Sequence, residues 1–224
     1  MRCLRLLAPA VAFLSIALAL PAAAAEKTAG VTQIADGKVL ATLQQERDLY
    51  AHLPVFVGEH IQTFENSSAQ FMLTDGSMLT MAAMSKLTLD NVSFAFDGPD
   101  DRQSMQLGFG EGLFRFATGG VARDNPEGVN ARTRLLGMGI RGTEVGVSVD
   151  PSGDVVAVLE GGPVDVTDQE TREVFTISEG QAVSKSAGQP ATVGPVPQEL
   201  LKRLEEIRID LSPPPLPPSA GGGC

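Results

Sequence analysis

Few residues in this chain have the type and spacing to do covalent chemistry. Its two histidines are His52 and His60, and neither lies in an H-E-x-x-H motif or beside a cysteine. No Gly-x-Ser-x-Gly elbow is present, and no cysteine has a histidine at a familiar nucleophile–base spacing. Gly137-Met138-Gly139-Ile140-Arg141-Gly142 fits the G-x-G-x-x-G dinucleotide fingerprint. That loop works only where it follows a strand and opens a helix, whose N-terminus then holds the pyrophosphate. Here Val145, Val147 and Val149 alternate with Glu144, Gly146 and Ser148, which is a strand pattern. The nucleotide reading is rejected, and the glycines are expected to relieve crowding at a bend between strands. Asp97, Asp100 and Asp101 lack the ligand spacing and closing Glu of an EF-hand and read as a solvated turn. The expectation is a protein that is not an enzyme, with no catalytic residue, no metal and no cofactor.

Charge narrows the partners. The chain has 17 Lys and Arg against 27 Asp and Glu, for a net charge of −10. With no basic cluster, a nucleic-acid partner is not expected. Residues 1–25 read as a secretory signal peptide. Arg2 and Arg5 precede an apolar run, Leu6–Leu20, and Pro21 and four alanines follow. Cleavage is expected between Ala25 and Glu26. The run is long enough to span a bilayer, so a retained anchor is the alternative. Cleavage removes two Arg and no acid, leaving 15 basic against 27 acidic residues, a net charge of −12. No later run is long enough to span, so the mature form is not expected to cross a membrane. Cleavage also removes Cys3, leaving Cys224 alone and no internal disulfide for an oxidising compartment.

The elements that position these residues are mostly strands. Period-two alternation runs from about Val31 to Val183. Phe71 and Leu73, Leu87 and Leu89, Met105, Leu107 and Phe109, Phe114 and Phe116, and Val164 and Val166 each alternate with polar or small residues. Phe94 and Phe96 continue the pattern. Asp75-Gly76 is expected to form a two-residue type I′ hairpin loop, and Asp150-Pro151-Ser152-Gly153 a type I turn. The fold class is therefore all-β: a compact β-sandwich or short β-roll of many short antiparallel strands.

Residues 197–210 read as one amphipathic helix opened by Pro197, with Leu200, Leu201, Leu204 and Ile207 on one face. At about three turns it is too short to stand alone, so it should dock. Residues 211–224, LSPPPLPPSAGGGC, read as a Pro/Gly-rich disordered tail. It ends on Cys224, which could pair only between molecules.

A series of short blocks appears in a fixed order. Gly30-Val31 comes first, then Val57-Gly58-Glu59-His60-Ile61-Gln62-Thr63, followed by Asp75-Gly76-Ser77 within Ala69–Met81 and by Ser85-Lys86-Leu87-Thr88-Leu89. Arg141-Gly142-Thr143, Leu159-Glu160-Gly161 and Gly180-Gln181 complete it. This series resembles the FecR domain family over about residues 29–185. The family pattern has Asp where Glu59 stands, and Gly162 is an extra residue after Leu-Glu-Gly. The resemblance implies an all-β exported domain that acts by binding. Its best-known members are inner-membrane regulators that pass a periplasmic signal to a cytoplasmic sigma factor. This chain has only about five residues before its apolar segment, so it is most similar to a stand-alone secreted form.

Apart from the resemblance, the block residues read first as fold residues. Asp75 and Gly76 make a turn, Gly142 permits a bend, and Ser85 and Thr143 bond backbone at strand ends. Arg141, a cation in an apolar Gly-rich stretch, needs a partner if it is buried, and Glu144 and Glu160 are the candidates.

The expected function is a non-catalytic, periplasmic or secreted bacterial FecR-domain protein. Its partner is an unidentified envelope protein or cell-wall ligand, in a cell-surface signalling role. The alternatives are a tethered structural protein with Cys224 as an intermolecular disulfide, and a membrane-anchored sigma-factor regulator.

Overall fold

A computed structural model describes residues 26–94 and 103–207. The signal segment, the Asp97–Asp101 turn with Phe96, the tail and Cys224 lie outside the described residues.

The chain shuttles between two sheets, front and back. β1 (Thr28–Asp36) is in the front sheet; β2 (Val39–Thr42) and β3 (Glu46–Asp48) are in the back sheet. β4 (Pro54–Phe56) returns to the front and β5 (His60–Thr63) to the back. β6 (Ser68–Leu73) and β7 (Met78–Met81) form a front hairpin, and β8 (Lys86–Ser93) and β9 (Ser104–Phe109) pair in the back. β10 (Gly112–Ala117) is a front strand and leads into a one-turn helix, α1 (Gly120–Asp124). Three hairpins follow. β11 (Val129–Arg132) and β12 (Leu136–Ile140) are in the back, β13 (Thr143–Asp150) and β14 (Gly153–Gly161) in the front, and β15 (Val164–Asp168) and β16 (Val174–Ile177) in the back. β17 (Gln181–Lys185) and β18 (Thr192–Pro195) close the front sheet, and α2 (Gln198–Glu206) follows.

Each sheet has nine strands. Among the described residues, strand order follows chain order in both, except at one edge of each, where β4 lies outside β1 in the front sheet and β3 outside β2 in the back. The molecule is thus a two-layer β-roll that grows along one axis. The expected all-β class holds.

Two local expectations change. One strand pair is parallel: β9 with β11, Met105 opposite Val129. Between them the chain crosses to the front sheet through β10 and returns past α1, so β11 enters in the same direction as β9. The β6–β7 connection is a three-residue loop rather than a two-residue one. Met72 pairs with Met78, the N–H of Leu73 donates to the Ser77 carbonyl at 2.8 Å, and that of Gly76 to the Leu73 carbonyl at 2.9 Å. Gly76 has φ +81° while Asp75 stays at negative φ. One left-handed residue after a type I turn gives a bulged hairpin, whereas type I′ needs two. The β13–β14 turn does close through Pro151-Ser152, with Asp150 opposite Gly153.

Alternation builds the core. Phe71, Leu79, Met81, Phe114 and Phe116 of the front sheet face Leu87, Leu89, Met105, Leu107 and Leu136 of the back, all buried. Burying each such side chain contributes about 1.5–3 kcal/mol. The rings of Phe109 and Phe114 meet across the layers with centroids 4.8 Å apart. A smaller cluster lies on the outer face of the front sheet, where Leu200 and Leu204 of α2 cover Leu113, Ala157, Ala182 and Val196. The expected helix therefore docks, as its length requires.

Candidate functional site

The blocks divide into those that fasten the fold and those that line a groove. Glu59 fastens the first strands. Its Oε1 accepts bonds from Arg47 Nε (3.0 Å) and Nη2 (2.7 Å), and its Oε2 one from the Phe56 N–H (2.9 Å). The N–H of neighbouring Gly58 donates to the Leu89 carbonyl at 2.6 Å. Thr63 Oγ1 accepts the Ser85 N–H at 2.9 Å and donates to the Ala82 carbonyl. Ser85 Oγ accepts the Leu113 N–H at 3.1 Å. Near the far end of the roll, Gln181 Oε1 accepts the Ser178 N–H at 2.9 Å, and the Gly180 N–H donates to the Val158 carbonyl at 3.0 Å.

Asp75-Gly76-Ser77 reaches furthest along the chain. Asp75 is buried, and its carboxylate accepts the Ser77 N–H (3.0 Å), the Ser77 hydroxyl (2.8 Å) and the Val121 N–H (3.1 Å). Its carbonyl takes the Gly120 N–H at 2.7 Å, and Ser77 Oγ takes the Gly119 N–H at 2.8 Å. One turn thereby pins the whole entry to α1.

That pinned entry forms one wall of a groove of about 360 Å³. Ala117, Thr118, Gly119 and Arg123 lie on one side, with Gly142, Thr143, Glu144, Glu160 and Gly161 opposite. Strand register explains the convergence: Ala117, Glu144 and Glu160 lie opposite one another on β10, β13 and β14, and Thr143 faces Gly161. Thr118 Oγ1 accepts the Thr143 N–H at 2.9 Å and donates to the Thr143 carbonyl at 3.3 Å, tying the walls together. Glu144 is ion-paired with Arg115. Thr143 is buried, and its Oγ1 has no hydrogen-bond partner among the described residues. Burying an unpaired hydroxyl costs about 1–3 kcal/mol.

Residues 59–162 match the model of the FecR protein family. This segment belongs to that family. No curated protein matches the chain. Two crystal structures of a putative anti-sigma factor from Parabacteroides distasonis ATCC 8503 are similar to it, at 18% and 17% identity and a TM-score of 0.47. Each match covers 61% of this chain and 59% of the other, so the chain spans under two thirds of that protein's length. All nine residues lining the groove, from Ala117 to Gly161, lie within the FecR segment.

Within the FecR segment, Arg141 departs from expectation. Its Nη2 lies 3.0 Å from Glu127 and 2.9 Å from Asp165, not beside Glu144 or Glu160. Arg141 is exposed and faces β15, because Ile140 pairs with Val164 and the next position leans towards Asp165. Glu144 is on a front-sheet strand, where Arg115 is the nearer cation. Crowding does not explain all the glycines either. A Cβ would find nothing within 4 Å at Gly139, and only Thr167, at 3.8 Å, at Gly137. Gly142 is the bend, at φ +78°. His60 Nδ1 lies 3.0 Å from Thr88 Oγ1 on the outer face of the back sheet.

A second cavity of about 360 Å³ lies under α2, between Leu159, Val196, Leu201 and Leu204. Its cation, Arg115, is occupied by Glu144 and by the Leu204 carbonyl, 3.3 Å from Nη1.

Sequence reasoning missed one charged cluster. Lys185 and Asp168 side chains are each 1% exposed, with Nζ 3.0 Å from Asp168 Oδ2 and 2.6 Å from Glu170 Oε2. Burial pushes the Asp168 carboxyl up, but the Lys185 ammonium and the N–H groups of Glu170 and Thr171 outweigh it and hold the pKa at about 2. The Glu170 carboxylate, against the cost of burial and with help from Asp168, holds the Lys185 amine above its usual value. The signal was period two: Asp168 continues the inward face of Val164 and Val166, and Lys185 that of Val183. Among the described residues no three His, Cys, Asp or Glu side chains converge as a metal site. No described helix is long and apolar enough to cross a membrane.

Proposed function

We propose that this chain is an exported, non-catalytic FecR-domain module that binds an envelope partner in a signalling role, and that the groove between Gly119 and Gly161 is where it binds. One observation carries the reading. The Asp-Gly-Ser, Arg-Gly-Thr and Leu-Glu-Gly blocks, far apart in sequence, either line this groove or pin its wall. Export rests on the basic, apolar and small-residue order of residues 1–25.

Retention of envelope material tests the reading. Glu160 is exposed, so Glu160→Trp fills the groove without disturbing the core. Wild-type protein is expected to retain a partner from envelope extract that Glu160→Trp does not. Equal retention by both, or none by either, would overturn the groove as the binding site. N-terminal sequencing of the protein from cells is expected to start at Glu26; a chain that keeps residues 1–25 would instead favour the anchored regulator.

A further inference from the structure

The polar groups of the groove are not all used by the fold. Glu144 is neutralised by Arg115 on the outer face of the front sheet. Arg123 is 73% exposed and, among the described residues, meets only its neighbour Asp124, 3.3 Å from Nε, which leaves the guanidinium fork to solvent. Glu160 is exposed and has no ion-pair partner among the described residues. Thr143 Oγ1 has no hydrogen-bond partner among the described residues either, but it is buried beyond a ligand's reach. Thr118 is tied by its hydroxyl to the Thr143 backbone, and the rest of the lining, Ala117, Gly119, Gly142 and Gly161, puts almost no side-chain bulk into the space.

These features select a ligand class. A guanidinium fork grips a carboxylate through two parallel hydrogen bonds. A carboxylate on the opposite wall accepts N–H donors, and walls without side chains let an extended main chain come close. Nucleotides and other polyanions are disfavoured by the unpaired Glu160 carboxylate, and a lipid tail would find few apolar side chains. The volume suits a ligand of two or three residues, at the small end of ligand pockets.

We propose that the groove takes the carboxy-terminal end of a short peptide, with the terminal carboxylate on Arg123 and a main-chain N–H on Glu160. This rests on the groove being the binding site, and it names the chemistry recognised there.

Calorimetric titration of the full chain with the dipeptide Ala-Ala and with its carboxy-terminal amide tests it. The free acid is expected to bind at least about tenfold more tightly than the amide. Arg123→Gln should remove that preference and Arg123→Lys restore part of it, with an unchanged melting temperature because Arg123 is exposed. Equal binding of acid and amide, or full binding by Arg123→Gln, would overturn the proposal. So would a wild-type protein that binds neither dipeptide yet still retains envelope material that Glu160→Trp loses. That last result would leave the groove as the binding site and remove only the peptide end as its ligand.

Discussion

Lys185 on β17 and Asp168 at the end of β15 join the two sheets through a 3.0 Å ion pair from which water is almost excluded. Lys185 also reaches Glu170 and the Gln189 carbonyl, each at 2.6 Å. The cluster thus fastens the last hairpin of one layer to the other. Removing one member leaves a buried charge unpaired, which is the costly way to break such a contact. Lys185→Met and Asp168→Asn should each lower the urea midpoint more than any exposed-site substitution. The double variant Lys185→Met/Asp168→Leu should recover much of the loss. Equal midpoints for wild type and the single variants would contradict this.

The same pair sets an acid limit. The folded pKa of Asp168, about 2, lies below its ordinary 3.8. Its contribution is complete above the unfolded value and is lost as pH falls through the folded one. Wild-type stability should therefore decline between about pH 4 and pH 2 more steeply than that of Asp168→Asn, as read by urea midpoints at each pH. Parallel acid limbs would contradict it. The Lys185 contribution, by contrast, is present below its ordinary value of 10.5 and would be lost only in strong alkali, as pH rises through the raised folded value.

Asp75 holds the groove wall by three bonds to its carboxylate. Asp75→Ala strands buried donors at Ser77 and Val121 and should cost about 2–3 kcal/mol. Hydrogen exchange should rise at Gly119, Gly120 and Val121 before it rises in the strands. Loss confined to the Gly76 turn, with the α1 entry unchanged, would contradict the latch.

Two glycines three residues apart predict opposite signs for the same change. Gly142 has φ +78°, a region that costs a Cβ-bearing residue about 1 kcal/mol or more. Gly139 has ordinary backbone and open space around its missing Cβ, so alanine there should gain about 0.5 kcal/mol by stiffening the strand. Thermal unfolding of Gly142→Ala and Gly139→Ala checks both. A destabilised Gly139→Ala would show a contact on the outer face that the isolated chain does not account for.

α2 is held by Leu200 and Leu204, and Leu204 fits against Gly146, where any Cβ would overlap its Cδ1. Leu204→Ala or Gly146→Val should release the helix, since nine residues do not stay helical alone. Amide exchange in residues 198–206 should become fast while the strands keep their protection. Loss of protection through the front sheet would mean that the helix holds up the roll as well.

Much of the fold was legible because alternation survives in nearly every strand: Phe114 and Phe116 around Arg115, Val164 and Val166 around Asp165. The docking of α2 was legible too, from its leucine stripe and its length. What alternation does not carry is which sheet a strand joins. The parallel β9–β11 pair depends on where β10 goes, which no local pattern states. Arg141 was given the wrong partners for the same reason. Glu144 is close in sequence but sits in the other layer, whereas Asp165 is brought alongside by the β12–β15 register. The blocks themselves were visible as a series, but the groove they share was not, because it forms only when β10, β13 and β14 align.

Site-specific crosslinking in living cells tests the central claim most directly. A photo-reactive amino acid at position 160 lies in the groove, and one at position 106 lies on the outer face of the back sheet. The account predicts a crosslinked envelope partner from position 160 and none from position 106. Crosslinking from 106 alone, or from neither position, would contradict it.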